Sequence, residues 1–266
     1  MKIGKIFLPQ QLFSKLIRAV VEFDMIQDGD KVLIGLSGGK DSLFLTYALS
    51  VLRKSISRKF SLYALTIDPK FDENFKHNLN KLENFCDTLE ILHRFLETDI
   101  AKIIATENNK KHCYTCAYFR RAAVNRIAKE IGATKVAYAH HLDDAVETFF
   151  MSLLSSGQLT TFLPKTFLDR TNLTVIRPLI YLRESEIENF VKKNHFEVLK
   201  SPCPFNGKTN REIVKNLITD LSRTFPDLFN HLTAAMRKNS VKDLWDERKT
   251  RYDMKKLYFS YVHAKS

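Results

Sequence analysis

Residues 31–49 read Lys31-Val32-Leu33-Ile34-Gly35-Leu36-Ser37-Gly38-Gly39-Lys40-Asp41-Ser42-Leu43-Phe44-Leu45-Thr46-Tyr47-Ala48-Leu49. The apolar run before Ser37 predicts a buried strand, and the apolar residues after Ser42 suit a helix. The turn between them, Ser-Gly-Gly-Lys-Asp-Ser, has the composition of an anion site. Gly38 and Gly39 can take positive φ and let the backbone approach a phosphate, and the free N–H groups and dipole of a helix start attract negative charge. Lys40 adds a point charge, Ser37 and Ser42 add hydroxyl donors, and Asp41 sits in the first helical turn. A plain turn would need only Asp41 or Ser42 as N-cap, which accounts for one residue of the six. The spacing excludes the G-x-x-x-x-G-K-[ST] phosphate loop, and Gly35, Gly38 and Gly39 do not make G-x-G-x-x-G.

Outward from this stretch the pattern alternates. Leu12, Leu16, Val20 and Phe23 recur at helical spacing over residues 11–24, and Asp28-Gly29-Asp30 turns the chain into the first strand. Further strands are predicted at Leu62 to Ile67, Leu89 to Leu96, Lys135 to Ala139 and Leu173 to Ile176. Helices are predicted over 70–85, Ala117 to Ile131, Asp144 to Leu154 and Glu184 to Asn194, with loops over 98–112 and 155–172. Strands alternating with helices imply an α/β fold with a doubly wound parallel sheet. The organisation expected is an N-terminal helical segment (1–30), a nucleotide-binding domain (31–200) and a helical, basic C-terminal region (201–266). The last 30 residues hold nine Lys/Arg against four Asp/Glu, which suits an RNA-binding arm or a solvated helix face equally.

Composition narrows the class. A chain of 266 residues with 44% hydrophobic content can bury a substantial core. No apolar run approaches the ~20 residues of a membrane span, and the N-terminus lacks a signal-peptide h-region, so a cytoplasmic protein with no membrane partner is expected. Its four cysteines then point to metal, chemistry or core rather than disulfides. Lys plus Arg exceed Asp plus Glu by 42 to 30, a balance that favours a polyanionic partner, nucleic acid first.

Ligands of doubly wound folds sit outside the carboxyl ends of the strands. There the Ser37–Ser42 turn follows strand one, Asp68 strand two, the Cys113-Tyr114-Thr115-Cys116 segment strand three, and His140-His141-Leu142-Asp143-Asp144 strand four. Two carboxylates beside two imidazoles, within reach of a nucleotide, suit Mg²⁺ shared with phosphate oxygens; helix capping by Asp143 and Asp144 is the plainer alternative. The C-x-x-C pair lies just before the predicted helix, where thiolates are favoured. With Cys203 it could hold an iron–sulfur cluster with one iron open, or zinc with His112 as fourth ligand; spacing does not choose. Cys86, in an apolar context, reads as a buried small residue.

The Ser37–Ser42 turn resembles the pyrophosphate loop of the ATP pyrophosphatase (PP-loop) superfamily, whose members cleave ATP between its α and β phosphates and adenylate a carbonyl oxygen. In chain order the sequence then carries Cys113-x-x-Cys116 followed by Arg120-Arg121, His140-His141-x-Asp143-Asp144, Gly157 through Pro164-Lys165, Arg177-Pro178-Leu179 and Cys203. This set resembles the tRNA 2-thiocytidine synthetases over roughly residues 10–230. The zinc-finger cysteines of the related thiothymidine enzymes are absent, as only four cysteines exist. The resemblance implies an adenine nucleotide α-hydrolase-like fold, with ATP and Mg²⁺ at Ser37, Gly38, Gly39, Lys40, Asp41, Ser42, Asp68, His140, Asp143 and Asp144. It implies a catalytic set of Lys40, Asp41, Asp143, Cys113, Cys116 and Cys203, the cysteines holding a 4Fe-4S cluster, and Arg120 and Arg121 on the RNA backbone. It further implies tRNA as substrate through its anticodon loop, a sulfur donor such as a cysteine desulfurase, and a homodimer. The alternatives are another PP-loop enzyme, of 2-thiouridine or lysidine type, or a non-enzymatic nucleotide and iron–sulfur RNA sensor.

Overall fold

Strand β1 (Lys31–Gly35) sets the architecture, because its side chains are buried on both sides. Val32 and Ile34 enter one core, and Leu33 enters another. The period of two along a strand requires two covered faces, hence helices above and below the sheet. The computed structural model describes residues 7–72, 75, 78–106, 112–200, 203–204, 210–238 and 250–263.

The first core is built by α1 (Gln10–Glu22), α2 (Lys40–Ser55), α3 (Leu79–Thr88) and α7 (Glu184–Lys193). Helix α2 is its axis, with every residue from Ser42 to Leu52 buried. Phe44 meets Phe190 of α7 edge-on at 5.2 Å. Helix α5 (His112–Glu130) covers the opposite face, where Val124, Ile127 and Ala128 pack with Leu33 of β1, Leu65 of β2 (Ser61–Asp68) and Val136 of β4 (Lys135–Ala137). Burying each such side chain contributes roughly 1.5–3 kcal/mol, so the two faces hold the central strands firmly.

With β3 (Leu92–Glu97), β5 (Lys165–Leu168) and β6 (Leu173–Ile176), the sheet runs β3-β2-β1-β4-β6-β5. All pairings are parallel except β5 with β6. The order reverses between β1 and β4, which opens a crevice at their carboxyl ends. The doubly wound fold is therefore present, with three differences from the sequence reading. The expected 155–172 loop contains β5, an edge strand of only four residues hairpinned onto β6. The expected 98–112 loop contains helix α4 (Ile100–Thr106), which buries Ile100 and Ile104. Helix α5 begins at His112, so the C-x-x-C pair lies within its first turns and not ahead of it; buried Thr115 ties that turn down.

Helix α6 (Leu142–Ser156) carries a third core on its outer side. Leu142 and Val146 pack against Val214 and Ile218 of α8 (Asn210–Thr224) and Phe229 of α9 (Leu228–Ala235). The front of the C-terminal region is thus docked on the α/β fold and is not a free arm. Helix α10 (Arg251–His263) exposes Tyr252, Met254, Leu257, Tyr258 and Phe259. Among the described residues no helix is long and apolar enough to cross a membrane.

Candidate active site

The turn after β1 is braced from within. Ser37 donates its N–H to Ser42 Oγ (3.2 Å), the two hydroxyls lie 3.1 Å apart, and Ser42 Oγ donates to the Gly39 carbonyl (2.9 Å). Gly39 is the N-cap of α2 and provides no side-chain cap, so neither Asp41 nor Ser42 closes the helix start. Its first N–H groups face outward for an anion. Gly38 has φ +81°, and its carbonyl accepts the N–H of Leu199 at 2.9 Å. The segment that leads towards Cys203 therefore lies directly on the loop.

A cleft of ≈ 560 Å³ opens beside this turn. Its wall takes Ser37, Gly39, Asp41 and Ser42 from the loop, Leu65 and Ile67 from β2, Arg120 and Arg121 from α5, Tyr138 and His140 after β4, Asp144 from α6, and Arg177 after β6. Arg120 and Arg121, expected on the RNA backbone, are cleft residues. Arg120 also lines the smaller recess beyond the loop with Ser37, Gly39 and Leu199. Its Nε is buried without a hydrogen-bond partner, and its positive charge acts on the neighbouring Cys116 thiol.

The cysteines gather at this rim. Burial raises the pKa of Cys116, Arg120 opposes that rise, and the neighbouring thiols of Cys203 and Cys113 add to it. None of the three is in a disulfide, and Cys113 is exposed. Among the described residues no three His, Cys, Asp or Glu side chains meet in metal-ligand geometry, so the thiols are neighbours and not a closed set. Cys86 is buried in the core, where desolvation pushes its thiol up to about 12.

The carboxylates divide. Asp144 lines the cleft and closes a capping box with His141: His141 N–H donates to Asp144 Oδ2 (2.9 Å), and Asp144 N–H donates to His141 Nδ1 (3.4 Å). Its other oxygen accepts from Arg211 at 2.8 Å. Asp143 does not line the cleft itself; its Oδ2 lies 3.7 Å from His141 Nδ1. Both its oxygens accept from Arg183 Nε (3.1 and 3.2 Å), and Oδ2 also takes the Glu184 N–H at 2.7 Å. Asp68 is buried in the corner after β2, where its Oδ1 accepts the Lys70 N–H (2.8 Å), so its carboxylate braces a turn outside the cleft wall. For Mg²⁺, the fitting protein oxygens are those of Asp41 and Asp144, which flank buried His141 at 3.9 and 3.4 Å from its Nε2.

Lys40 does not line the cleft either. Its ammonium lies 2.9 Å from Glu184 and 2.9 Å from Asp41; burial lowers its pKa, and the two carboxylates outweigh that and leave it raised. Glu184 also holds Lys215 of α8 at 2.7 Å. Burial pushes the Glu184 pKa up, but the bonds from Lys215 and Lys40 win and hold it at about 2. A depressed carboxylate contributes stability above its unfolded pKa of 4.5 and loses it as pH falls through 4.5 towards about 2. Glu184→Gln is therefore expected to lower unfolding stability by about 1–3 kcal/mol at neutral pH. Urea titrations of both proteins check this, and the gap between them should close as the pH falls below 4.5.

A family model described as a PP-loop domain matches residues 10–221. The tRNA-cytidine(32) 2-sulfurtransferase of Saccharophagus degradans is 32% identical over 244 residues, covering 90% of this chain and 77% of that protein. Its namesake from Vibrio cholerae is 33% identical over 225 residues, covering 83% and 71%. The chain belongs to this PP-loop sulfurtransferase family. Among solved structures, the U34-tRNA thiolase NcsA from Methanococcus maripaludis with its [4Fe-4S] cluster superposes with a TM-score of 0.70 at 22% identity, over 85% of this chain and 77% of that one. NMN synthetase from Francisella tularensis gives 0.51 at 15% identity, over 90% of this chain and all of its own. Both share the fold.

In the PP-loop sulfurtransferase chain, Glu184, Lys215 and Arg211 are functional neighbours that motif reading missed. Glu184 reads locally as a favourable acid in the first turn of α7, and nothing in sequence links it to Lys40, far upstream. Arg211 joins Asp144 to buried Glu147 (2.6 Å), whose pKa burial raises against the pull of that arginine. Helix α8 is thereby wired to both the loop lysine and the cleft carboxylate.

Proposed function

We propose that this protein is an ATP-dependent tRNA thiolase that replaces the C2 oxygen of an anticodon-loop cytidine by sulfur. The observation that carries the reading is the position of Arg120, which lines both the cleft that holds the phosphate loop and the recess beside it while its charge acts on the Cys116 thiol. A nucleotide switch alone needs no thiols there, and a lysidine-type enzyme needs none either.

ATP phosphates sit on the uncapped start of α2 and the braced Ser37–Ser42 turn, with Asp41 and Asp144 available to Mg²⁺. Lys40, drawn from Glu184, adds its charge to the polyphosphate. The cytidine C2 oxygen attacks the α-phosphorus and pyrophosphate leaves with the bonding pair, giving an adenylated base. A hydrosulfide-class nucleophile then attacks C2; the electron pair moves to N3 and returns to expel AMP. Arg120 and Arg121 offset the charge on the α-phosphate as it develops. The thiols of Cys113, Cys116 and Cys203 would hold a [4Fe-4S] cluster, which supplies an open iron able to carry sulfur. The unstacked loop base enters more cheaply than a paired one.

The test is an anaerobic incubation with ATP, sulfide and tRNA. AMP and pyrophosphate should form only with tRNA present, in step with a thionucleoside. Nucleotide binding without turnover would reduce the protein to a sensor.

A further inference from the structure

The cleft has two unlike ends. Towards β2 it is lined by Leu65, Ile67 and Val124; towards β4 and β6 it is lined by Tyr138, His140 and Arg177. At this second end two polar atoms are buried without partners, Arg177 Nε and His140 Nδ1. The fold holds both groups in place. Arg177 spends Nη1 on the Leu163 carbonyl (2.5 Å) and lies over Phe162 at 4.9 Å; the His140 ring meets the same phenyl at 5.2 Å and Tyr138 at 5.9 Å. Among the described residues no carboxylate pairs with Arg177. Burial lowers the Arg177 pKa against a smaller pull from Tyr138. Burial also lowers that of His140, to about 4, with Asp144 opposing and Arg177, Arg211 and His141 assisting. The imidazole is thus neutral at physiological pH and can accept a hydrogen bond. An orphaned donor beside an orphaned acceptor in a buried wall calls for a ligand with the reverse pattern.

Phosphate does not match, because it offers only acceptors and the start of α2 already serves it. A pyrimidine edge does. Cytosine presents the N4 amine, a donor, next to N3, an acceptor; uracil presents O4, an acceptor, next to N3–H, a donor. We infer that Arg177 and His140 form the subsite that reads the target base, Arg177 Nε donating to N3 and His140 Nδ1 accepting from the N4 amine. This assignment rests on the thiolation proposed above and supplies its selectivity. Uridine would set donor against donor at Arg177 and acceptor against acceptor at His140. The Arg177 bond has a second use, since N3 gains negative charge when sulfur attacks C2.

The experiment uses the full chain, ATP and sulfide under anaerobic conditions, with two tRNA transcripts that differ only in cytidine or uridine at position 32, the position in the relatives' name. Arg177→Gln replaces the obligatory donor by an amide that can turn either its donor or its acceptor to the base. Its kcat/KM for the cytidine transcript should fall, and its cytidine-over-uridine preference should drop roughly 10- to 100-fold, with ATP affinity within about twofold. His140→Leu should act alike, and His140→Asn, which keeps an acceptor, should recover part of the preference. Arg177→Lys stands in should the Gln variant fail to fold. A preference unchanged in variants that melt like the parent overturns the inference and leaves the thiolation reading intact. ATP affinity falling in parallel with thiolation also overturns it, and assigns both residues to the nucleotide. A parent protein that thiolates neither transcript overturns both readings.

Discussion

A Cys116→Ala protein is expected to fold, to bind ATP with unchanged affinity, and to place no sulfur in tRNA. The thiol is only half-buried in the opening turns of α5, and alanine is the better helix former, so the stability change should stay within about 1 kcal/mol. The chemical loss is complete because Cys116 is the thiol that neighbours Arg120, Cys113 and Cys203 together, and all three cysteines are proposed to serve the reaction. Cys86→Ser is the control that separates chemistry from folding. That thiol lies in the apolar core and not at the cleft rim, and a hydroxyl there costs about 1–3 kcal/mol. It should lower the urea midpoint and leave turnover of the folded fraction intact. Thiolation and urea titration of both variants give the comparison, and normal thiolation by Cys116→Ala would remove the cysteines from the reaction.

Gly38→Ala is the second large effect, and it acts on the nucleotide. At φ +81° a side chain is strained, at about 1–2 kcal/mol for the left-handed region. The added Cβ would also stand 2.6 Å from Leu199 Cδ1 and 2.9 Å from Leu199 Cγ. Because Leu199 N–H is bonded to the Gly38 carbonyl, the leucine cannot withdraw without breaking that contact, and overpacking adds about 1–3 kcal/mol. The loop must distort, and ATP affinity should fall roughly 30-fold or more. Calorimetric titration with ATP reads this. Gly29→Ala, also at positive φ (+81°) but with no atom within 4 Å, should cost stability alone.

The same residues explain what was legible in the sequence. The β1 strand, its turn and α2 were legible because burial on both faces and three turns of apolar helix leave strong periodic marks. Leu173 to Ile176 was legible for the same reason, being buried throughout. Strand β5 was not, since its four residues are partly exposed and edge pairing leaves no alternation. The start of α5 was hidden because Cys, Tyr and Thr have weak helix propensity, and tertiary packing of Thr115 decides the matter. At the site, topology predicted which strand ends converge, and the cleft collects Ser37, Asp41, Ser42, His140 and Asp144 there. It could not predict that Asp143 would be claimed by Arg183, Asp68 by its own turn, or Lys40 by Glu184. Those choices are made by partners far away in sequence, where no local pattern records them.

The account stands or falls on one centre in which the phosphate loop and the three thiols serve the same base. Its most direct test is mass spectrometry of the nucleosides from tRNA incubated anaerobically with this protein, ATP and sulfide. The prediction is a single new nucleoside, cytidine with its oxygen replaced by sulfur, formed mole for mole with AMP. Unchanged cytidine, or a cytidine carrying an amino acid in place of sulfur, would contradict it.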